Sequence, residues 1–504
     1  MARWAALLLV VVLGWAGPGG AAAGADGLDS EAGELFYLAA VETSPSEILT
    51  PAEIETVTAA YTGRMVGFAD LVAITERLNQ LYLEKGYVTA RAVLEPQTIE
   101  GGVVRVTLVE GRVSEIAVQN NRSTRDDYIR SRISLRPGDL VRLDVLRDDI
   151  VRFNATNDAQ IGAEIKAGSE FGTSDLVLHV FEPPRWTGGL YYTNSGRSET
   201  GTNQMGVTLA SRSLFGLRDP LSLNVVWSEG TVGGSLSYQV PASRLGSRIG
   251  IGYHRNQIEV VHGEFEAIEI SGDSSGTSVS FIHPLIVRAG TKLVGSVEYQ
   301  DKESGTYFFG TKLIGGRVRT IGLNLSYQRS TEGRVIILSQ SASMGTSSSG
   351  GDAERFSRFN TAVTGHWQLG PLYQLTLRGS VQFTGDYLLP SSEQVYVGGE
   401  STVRGLGSGQ ISGDKGYFVN VDVKRRVRDG LEVFAFVDHG AALPYRGEGK
   451  PLTEKDRVTS AGVGLNFALG KYVSGRVLYG VPLQEWHRPE GGRGRAHFFV
   501  QLGF

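Results

Sequence analysis

The stretch LEVFAFVDHG (Leu431–Gly440) alternates without a break. Leu431, Val433, Ala435 and Val437 fall on one face of an extended strand, and Glu432, Phe434, Phe436 and Asp438 fall on the other. If the first face meets lipid, the Asp438 carboxylate points inward. Upstream lies LPSSEQVYVGGESTVRGLGSGQISGDK (Leu389–Lys415), with glycines at 398, 399, 405, 407, 409 and 413, too many for the interior of a strand or helix. It reads as a loop built to fold closely, and among its glycines sits a single cation, Arg404. A guanidinium on a re-entrant loop and a carboxylate on a barrel wall suit one another as a planar fork against two oxygens. Such a pair needs a barrel around it.

The 504 residues are enough for two or three domains, and a formal net charge of -4 argues against a nucleic-acid partner. Cysteine is absent, which removes thiol catalysis, zinc–thiolate sites and disulfides together. Met1-Ala2-Arg3-Trp4, the apolar run Ala5–Leu13 and the small-residue tract Gly19–Ala25 read as a secretory signal over residues 1–25. No later segment offers the roughly 20 apolar residues of a membrane helix. An exported chain that enters a membrane must then do so as strands.

From residue 26 to 182 the periodicity is mixed and repeats once. Glu34–Val41 reads as a strand, Thr50-Pro51-Ala52-Glu53 opens a helix with a capping box, Phe68–Lys85 is a second helix, and Tyr87–Leu94 and Val103–Val109 are strands. The same β-α-α-β-β order returns with Arg112–Val118, a capped helix at Ser123–Ile133, a helix at Leu143–Phe153, and strands Ala159–Ala167 and Asp175–Phe181. The units span 26–111, with a short lead, and 112–182. Each small sheet has an edge whose unpaired amides can accept an extended client; the sequence does not set which edge is open, and in the second unit the last strand, Asp175–Phe181, and Ala159–Ala167 are the candidates.

From 183 to 504 only period two remains. Leu221, Leu223, Val225 and Trp227 oppose Ser222 and Asn224, and Leu323, Leu325 and Tyr327 oppose Gly322, Asn324 and Ser326. A soluble sandwich alternates in the same way. Sixteen such strands can be placed, and an even count suits a closed outer-membrane barrel. Long polar links at 258–275, 301–315, 344–356, 387–415, 443–456 and 483–495 alternate with short turns such as Gly370-Pro371-Leu372, which is the pattern of long outer loops and short inner turns. The chain ends on an apolar strand closed by Phe504, as befits a precursor that barrel assembly machinery must insert and seal. The fold class is therefore α+β repeats followed by an all-β, 16-stranded transmembrane barrel.

At these residues the chain resembles the transporter partner of two-partner secretion systems, the TpsB or hemolysin activator group. The resemblance is carried by the tandem units, the sixteen strands, Gly398-Gly399-Glu400-Ser401-Thr402-Val403-Arg404-Gly405-Leu406 and Phe434-Ala435-Phe436-Val437-Asp438-His439-Gly440. Gly86-Tyr87, Ala92-Val93-Leu94, Gly101–Val106 and Val109–Arg112 look like that group's first polypeptide-transport-associated (POTRA) domain. The resemblance implies a pore in the bacterial outer membrane, in contact with its lipid, that passes one large unfolded exoprotein from periplasm to surface without a nucleotide or an ion gradient. Leu406 stands where the group carries an aromatic, and only about ten residues separate the cleavage site from the first strand, which leaves little room for a pore-plugging helix.

The inward loop 387–415 is then expected to narrow the bore, with Arg404 tied to Asp438 in a partly wet lumen by about 1 kcal/mol. The bland alternative is a solvated loop cation and an unpaired wall carboxylate. The eight histidines show no paired metal spacing, and no residue pattern calls for a catalytic step, a metal or a cofactor. Two other roles compete with export. An assembly factor that inserts other barrels usually carries more tandem domains, and a passive porin carries none.

Overall fold

The computed structural model describes residues 35–263, 266–349, 353–385, 388–443, 456–484 and 494–504. The expected export signal and the lead that follows it lie outside these residues, as do most of the links 443–456 and 483–495. The chain divides after Glu182 into two compact units. Among the described residues no helix is long and apolar enough to cross a membrane.

In the first unit Thr50 and Glu53 form the expected capping box. The Thr50 backbone N–H donates to Glu53 Oε2 at 2.9 Å, and Pro51 takes the first helical position of Pro51–Thr58. The second helix, Phe68–Glu84, buries Leu71, Ile74, Leu78 and Tyr82 against a three-stranded sheet. In that sheet Val103–Val109 is central, Ala40–Thr43 runs parallel to it and Arg91–Val93 antiparallel. The repeat reproduces this order with Arg112–Gln119, Thr173–Phe181 and Gln160–Ala167, and packs the helix Leu143–Thr156 through Leu146 and Phe153.

Three elements are shorter than the sequence suggests, each because another hydrogen bond competes. Glu34–Val41 is broken where the amides of Leu38 and Ala39 turn to the carbonyls of Arg64 and Gly102. The strand expected from Tyr87 begins at Arg91, since the Tyr87 amide caps the preceding helix through the Tyr82 carbonyl. The capped helix at Ser123–Ile133 contracts to Asp126–Arg130, because Ser123 gives both its amide and its hydroxyl to Glu182 and so cannot cap. More consequential is Thr173–Phe181, which is the centre of its sheet and not an edge.

In the second unit sixteen antiparallel strands, from Trp186–Thr193 to Arg495–Gly503, pair in succession, and the last pairs with the first. In the thirteenth barrel strand, Leu431–Leu443, Val433 and Val437 are 40% and 49% exposed while Phe434, Phe436 and Asp438 are 4%, 3% and 0% exposed. The apolar face looks out to lipid, and the other looks into the bore. The links at 301–315 and 344–356 are largely strand. Thr291–Phe308 and Thr311–Thr331 meet in a two-residue turn at Phe309-Gly310, both with positive φ, and Arg334–Ser348 and Ala353–Gln368 extend likewise. The polarity that suggested loops marks strand standing in water above the lipid. At the seam Phe504 exchanges two backbone bonds of 2.9 Å with Gly188, and its ring lies where a Cβ on Gly188 would fall.

The Thr50 amide, then the Lys85 ammonium 2.9 Å away, hold the Glu53 carboxyl down at about 2, against an ordinary 4.5. This stabilisation is fully present above the unfolded-state value and is lost as pH falls towards 2. Glu53→Gln should therefore lower the thermal midpoint of the amino-terminal unit at pH 7, with the difference from the parent shrinking in scans between pH 4.5 and 2.

Candidate functional site

The glycine-rich segment folds into the bore as a short ribbon, Val395–Val397 paired with Ile411–Gly413, capped by a tight tip. Gly398 and Gly399 have φ of 119° and 95°, a region that side chains disfavour, and they turn the chain into the tip. The Thr402 hydroxyl bridges the Gly398 amide and carbonyl at 2.8 and 3.0 Å, and the Gly399 amide bonds the carbonyls of Val403 and Leu406. Val397, Val403, Leu406 and Ile411 form an apolar knot with Ala442 and Val458 of the wall. Leucine at 406 is fully used in this knot, which gives the tip a packing contact in place of an aromatic.

Arg404 is 1% exposed. Its Nε donates to Asp438 Oδ2 at 2.8 Å, one terminal nitrogen reaches Asp438 Oδ1 at 2.5 Å, and its own backbone amide donates to Asp438 Oδ2 at 2.9 Å. Three donors of one residue thus converge on one carboxylate. The same terminal nitrogen lies 2.6 Å from Asp422 Oδ1, so the guanidinium is shared by two acids on adjacent strands, Lys415–Arg428 and Leu431–Leu443. Phe436 lies beneath it, with the ring centroid 3.6 Å from Cζ, close enough for a cation–π contact. Asn420 donates to Asp438 Oδ1 at 2.7 Å and to the Thr402 carbonyl, joining wall and tip a second time. His497, on the last strand, bonds the Arg404 carbonyl through Nε2 at 2.8 Å, and a carbonyl can only accept, so that nitrogen carries the proton.

The tip also lies flat against the wall. A Cβ on Gly480 would stand 2.9 Å from the Arg404 carbonyl carbon, and one on Gly405 would stand 2.8 Å from the Ser460 Cβ. Two glycines, one on each surface, permit this approach. Asp438 was legible from strand alternation and Arg404 from its isolation among glycines. Asp422, Asn420, Gly480 and His497 were not, because they sit on three strands other than that of Asp438 and only cross-strand register brings them to the tip. Asp422 alone carried a usable signal, as an acid on the inward face of its strand.

Burial changes the energetics from the expected partly wet pair. A desolvated cation between two carboxylates is not worth much over an apolar isostere, but removing one partner strands the others, at about 3–5 kcal/mol. The site therefore holds the tip in one place and resists partial substitution. Among the described residues no cluster of His, Asp and Glu has the geometry to hold a metal.

Gly480→Val should push the tip off the wall. Because the natural chain lacks cysteine, Val403→Cys supplies a unique thiol at a fully buried position, and maleimide labelling of it should be at least about tenfold faster in the Gly480→Val background. Equal labelling rates would mean that the close approach is not what seats the loop.

Residues 172–467 match the family of haemolysin secretion/activation protein ShlB/FhaC/HecB, and residues 36–111 match the POTRA domain of ShlB type. The outer membrane transporter CdiB of Dickeya dadantii is 24% identical over 484 residues, covering 91% of this chain and 85% of that protein. The heme/hemopexin transporter protein HuxB of Haemophilus influenzae is 22% identical, covering 85% and 80%. The solved structure of CdiB from Escherichia coli superposes with a TM-score of 0.65 at 19% identity over 95% of this chain and 93% of that one, a likeness of fold. The protein is an outer-membrane transporter with its POTRA region in the periplasm, and it belongs to the ShlB/FhaC/HecB haemolysin secretion/activation family of two-partner secretion.

Proposed function

We propose that the barrel secretes one large exoprotein, captured unfolded in the periplasm, and that the latched loop is the movable constriction of its bore. The observation that carries this reading is Arg404, seated inside a closed barrel on a loop whose every glycine serves a turn or a close approach. The role needs no catalytic step and no cofactor. HuxB is named for heme/hemopexin, and the cargo class of this chain is set by its own exoprotein partner.

Capture is assigned to the sheet edges of the two POTRA units. With Thr173–Phe181 central, the second sheet has two edges, Arg112–Gln119, whose Val113 is bonded to Gly138 and Asp139, and Gln160–Ala167, to which we assign strand addition. Asn154 closes part of it, taking the Ile161 amide at 2.7 Å and giving its own amide to the Ile161 carbonyl at 3.0 Å. The outward amides from Ala163 to Ala167 remain for a client, and strand addition supplies backbone bonds without reading sequence. In the first unit Asn79 Oδ1 accepts the Ala92 amide at 2.7 Å. Both contact residues lie on the second helix of their unit. The outer-membrane lipid surrounds the apolar belt, and the exposed terminal Phe504 is the feature that barrel assembly machinery would read during insertion.

Arg404→Ala should raise the mean conductance of the reconstituted pore in planar bilayers and lower export of the partner. Unchanged conductance together with unchanged export would remove the loop from the mechanism. A photo-crosslinker at Ala163 should capture a stalled client, and one at Leu176 on the central strand should not; the reverse pattern would place recognition elsewhere.

A further inference from the structure

We infer that Glu393 is a second latch of the same loop, holding its base to a separate arc of the wall so that the loop stays tethered when the tip is released. This inference rests on the reading of the loop as a movable constriction. The Glu393 side chain is 1% exposed although it lies just before the ribbon inside an aqueous bore. Lys302 Nζ lies 2.8 Å from Oε1, and an Arg358 guanidinium nitrogen lies 3.1 Å from Oε2, an ion contact outside hydrogen-bond geometry. Lys302 comes from Thr291–Phe308 and Arg358 from Ala353–Gln368, the seventh and tenth barrel strands. One buried acid between two cations mirrors Arg404, one buried cation between two acids.

Other contacts make the base a designed seat. The Glu393 carbonyl accepts from Gln382 Nε2 at 2.8 Å, and the same nitrogen reaches the Asp414 carbonyl at 3.1 Å. Asp414 in turn accepts the amides of Leu388 and Leu389 at 3.1 and 3.0 Å, which ties the two ends of the loop together. Leu389 packs against Val318 and Phe356 of the wall. The acids that hold Arg404 stand on strands twelve and thirteen, so the two latches share no strand. Two anchors on separate arcs define a hinge and a catch. Losing the Arg404 pair frees the tip to swing, while the Glu393 seat keeps the base against strands seven and ten.

The natural chain has no cysteine, so single spin labels can be placed at Ser401 on the tip and Ser392 beside the seat, both exposed, in the full-length protein reconstituted in liposomes. In Arg404→Ala the tip label should become mobile while the base label keeps the parent's immobilised spectrum. In the double variant E393Q/R404A both labels should become mobile, and single-channel conductance should rise several-fold above Arg404→Ala alone. In the Arg404→Ala background the exchange E393K/K302E, which restores one ion pair with reversed sense, should leave the base label closer to the parent spectrum than E393Q does. A base label that loosens together with the tip in Arg404→Ala, or that stays immobile in the double variant, would overturn the second latch. An unmoved tip label in Arg404→Ala would instead overturn the reading of the loop, and this inference with it. If E393Q/R404A does not insert, as judged by loss of its heat-modifiable band, the two labels in Arg404→Ala decide the question alone.

Discussion

A polypeptide in hydrocarbon must pair every backbone amide and carbonyl with itself, and this requirement shapes all that follows. Strands meet it only by closing on themselves, and sixteen strands close around a space too wide for wall side chains to fill. The alternation of each strand then divides the wall into a lipid face and a water face. Filling the space falls to a segment that can lie against the inner face, and glycine at 405 and 480 lets two backbones come that close. The guanidinium of Arg404 is buried as a consequence of that approach, and a buried cation requires acids on the wall. Asp422 and Asp438 meet the requirement from neighbouring strands.

Much of this was legible in the residues. The inward turn of Asp438 followed from the parity of Val433 and Val437, and the tandem units followed from two helix–helix–strand–strand runs. What escaped had a common cause. Asp422, Asn420, Gly480 and His497 gather at the tip through cross-strand register, which alternation along one strand does not encode. Polarity misled over 301–315, since residues above the lipid are polar whether they pair or not, and period two there was hidden by Asp301, Lys302 and Glu303 in succession. Ser123 misled as a cap because Glu182, far along the chain, takes its hydroxyl. Which strand of the second unit forms an edge was open in the residues because strand order within a sheet is a tertiary fact. There Thr173–Phe181 wins the centre by pairing parallel on one side and antiparallel on the other.

The two repeats share more than their order of elements. In each, an asparagine one residue beyond a fully buried position of the second helix, after Leu78 and after Phe153, reaches the neighbouring sheet edge. A side-chain amide can mimic a strand's own donor and acceptor, so it blunts an edge without covering all of it. Helix and edge strand are thereby tied together in both units, and the uncovered remainder is short.

Strand length carries a last geometric consequence. The first three barrel strands have 8, 8 and 7 residues, close to what a tilted crossing of the hydrocarbon needs, whereas the sixth to eighth have 19, 18 and 21. At about 3.4 Å per residue and a tilt near 40°, the long strands outreach the apolar layer by roughly 20 Å. Among the described residues the paired wall therefore ends in a slanted lip, a tall parapet at the sixth to eighth strands and a low sill at the first three. Among the described residues, anything threading outward runs beside a longer stretch of paired wall on the parapet's flank than on the other.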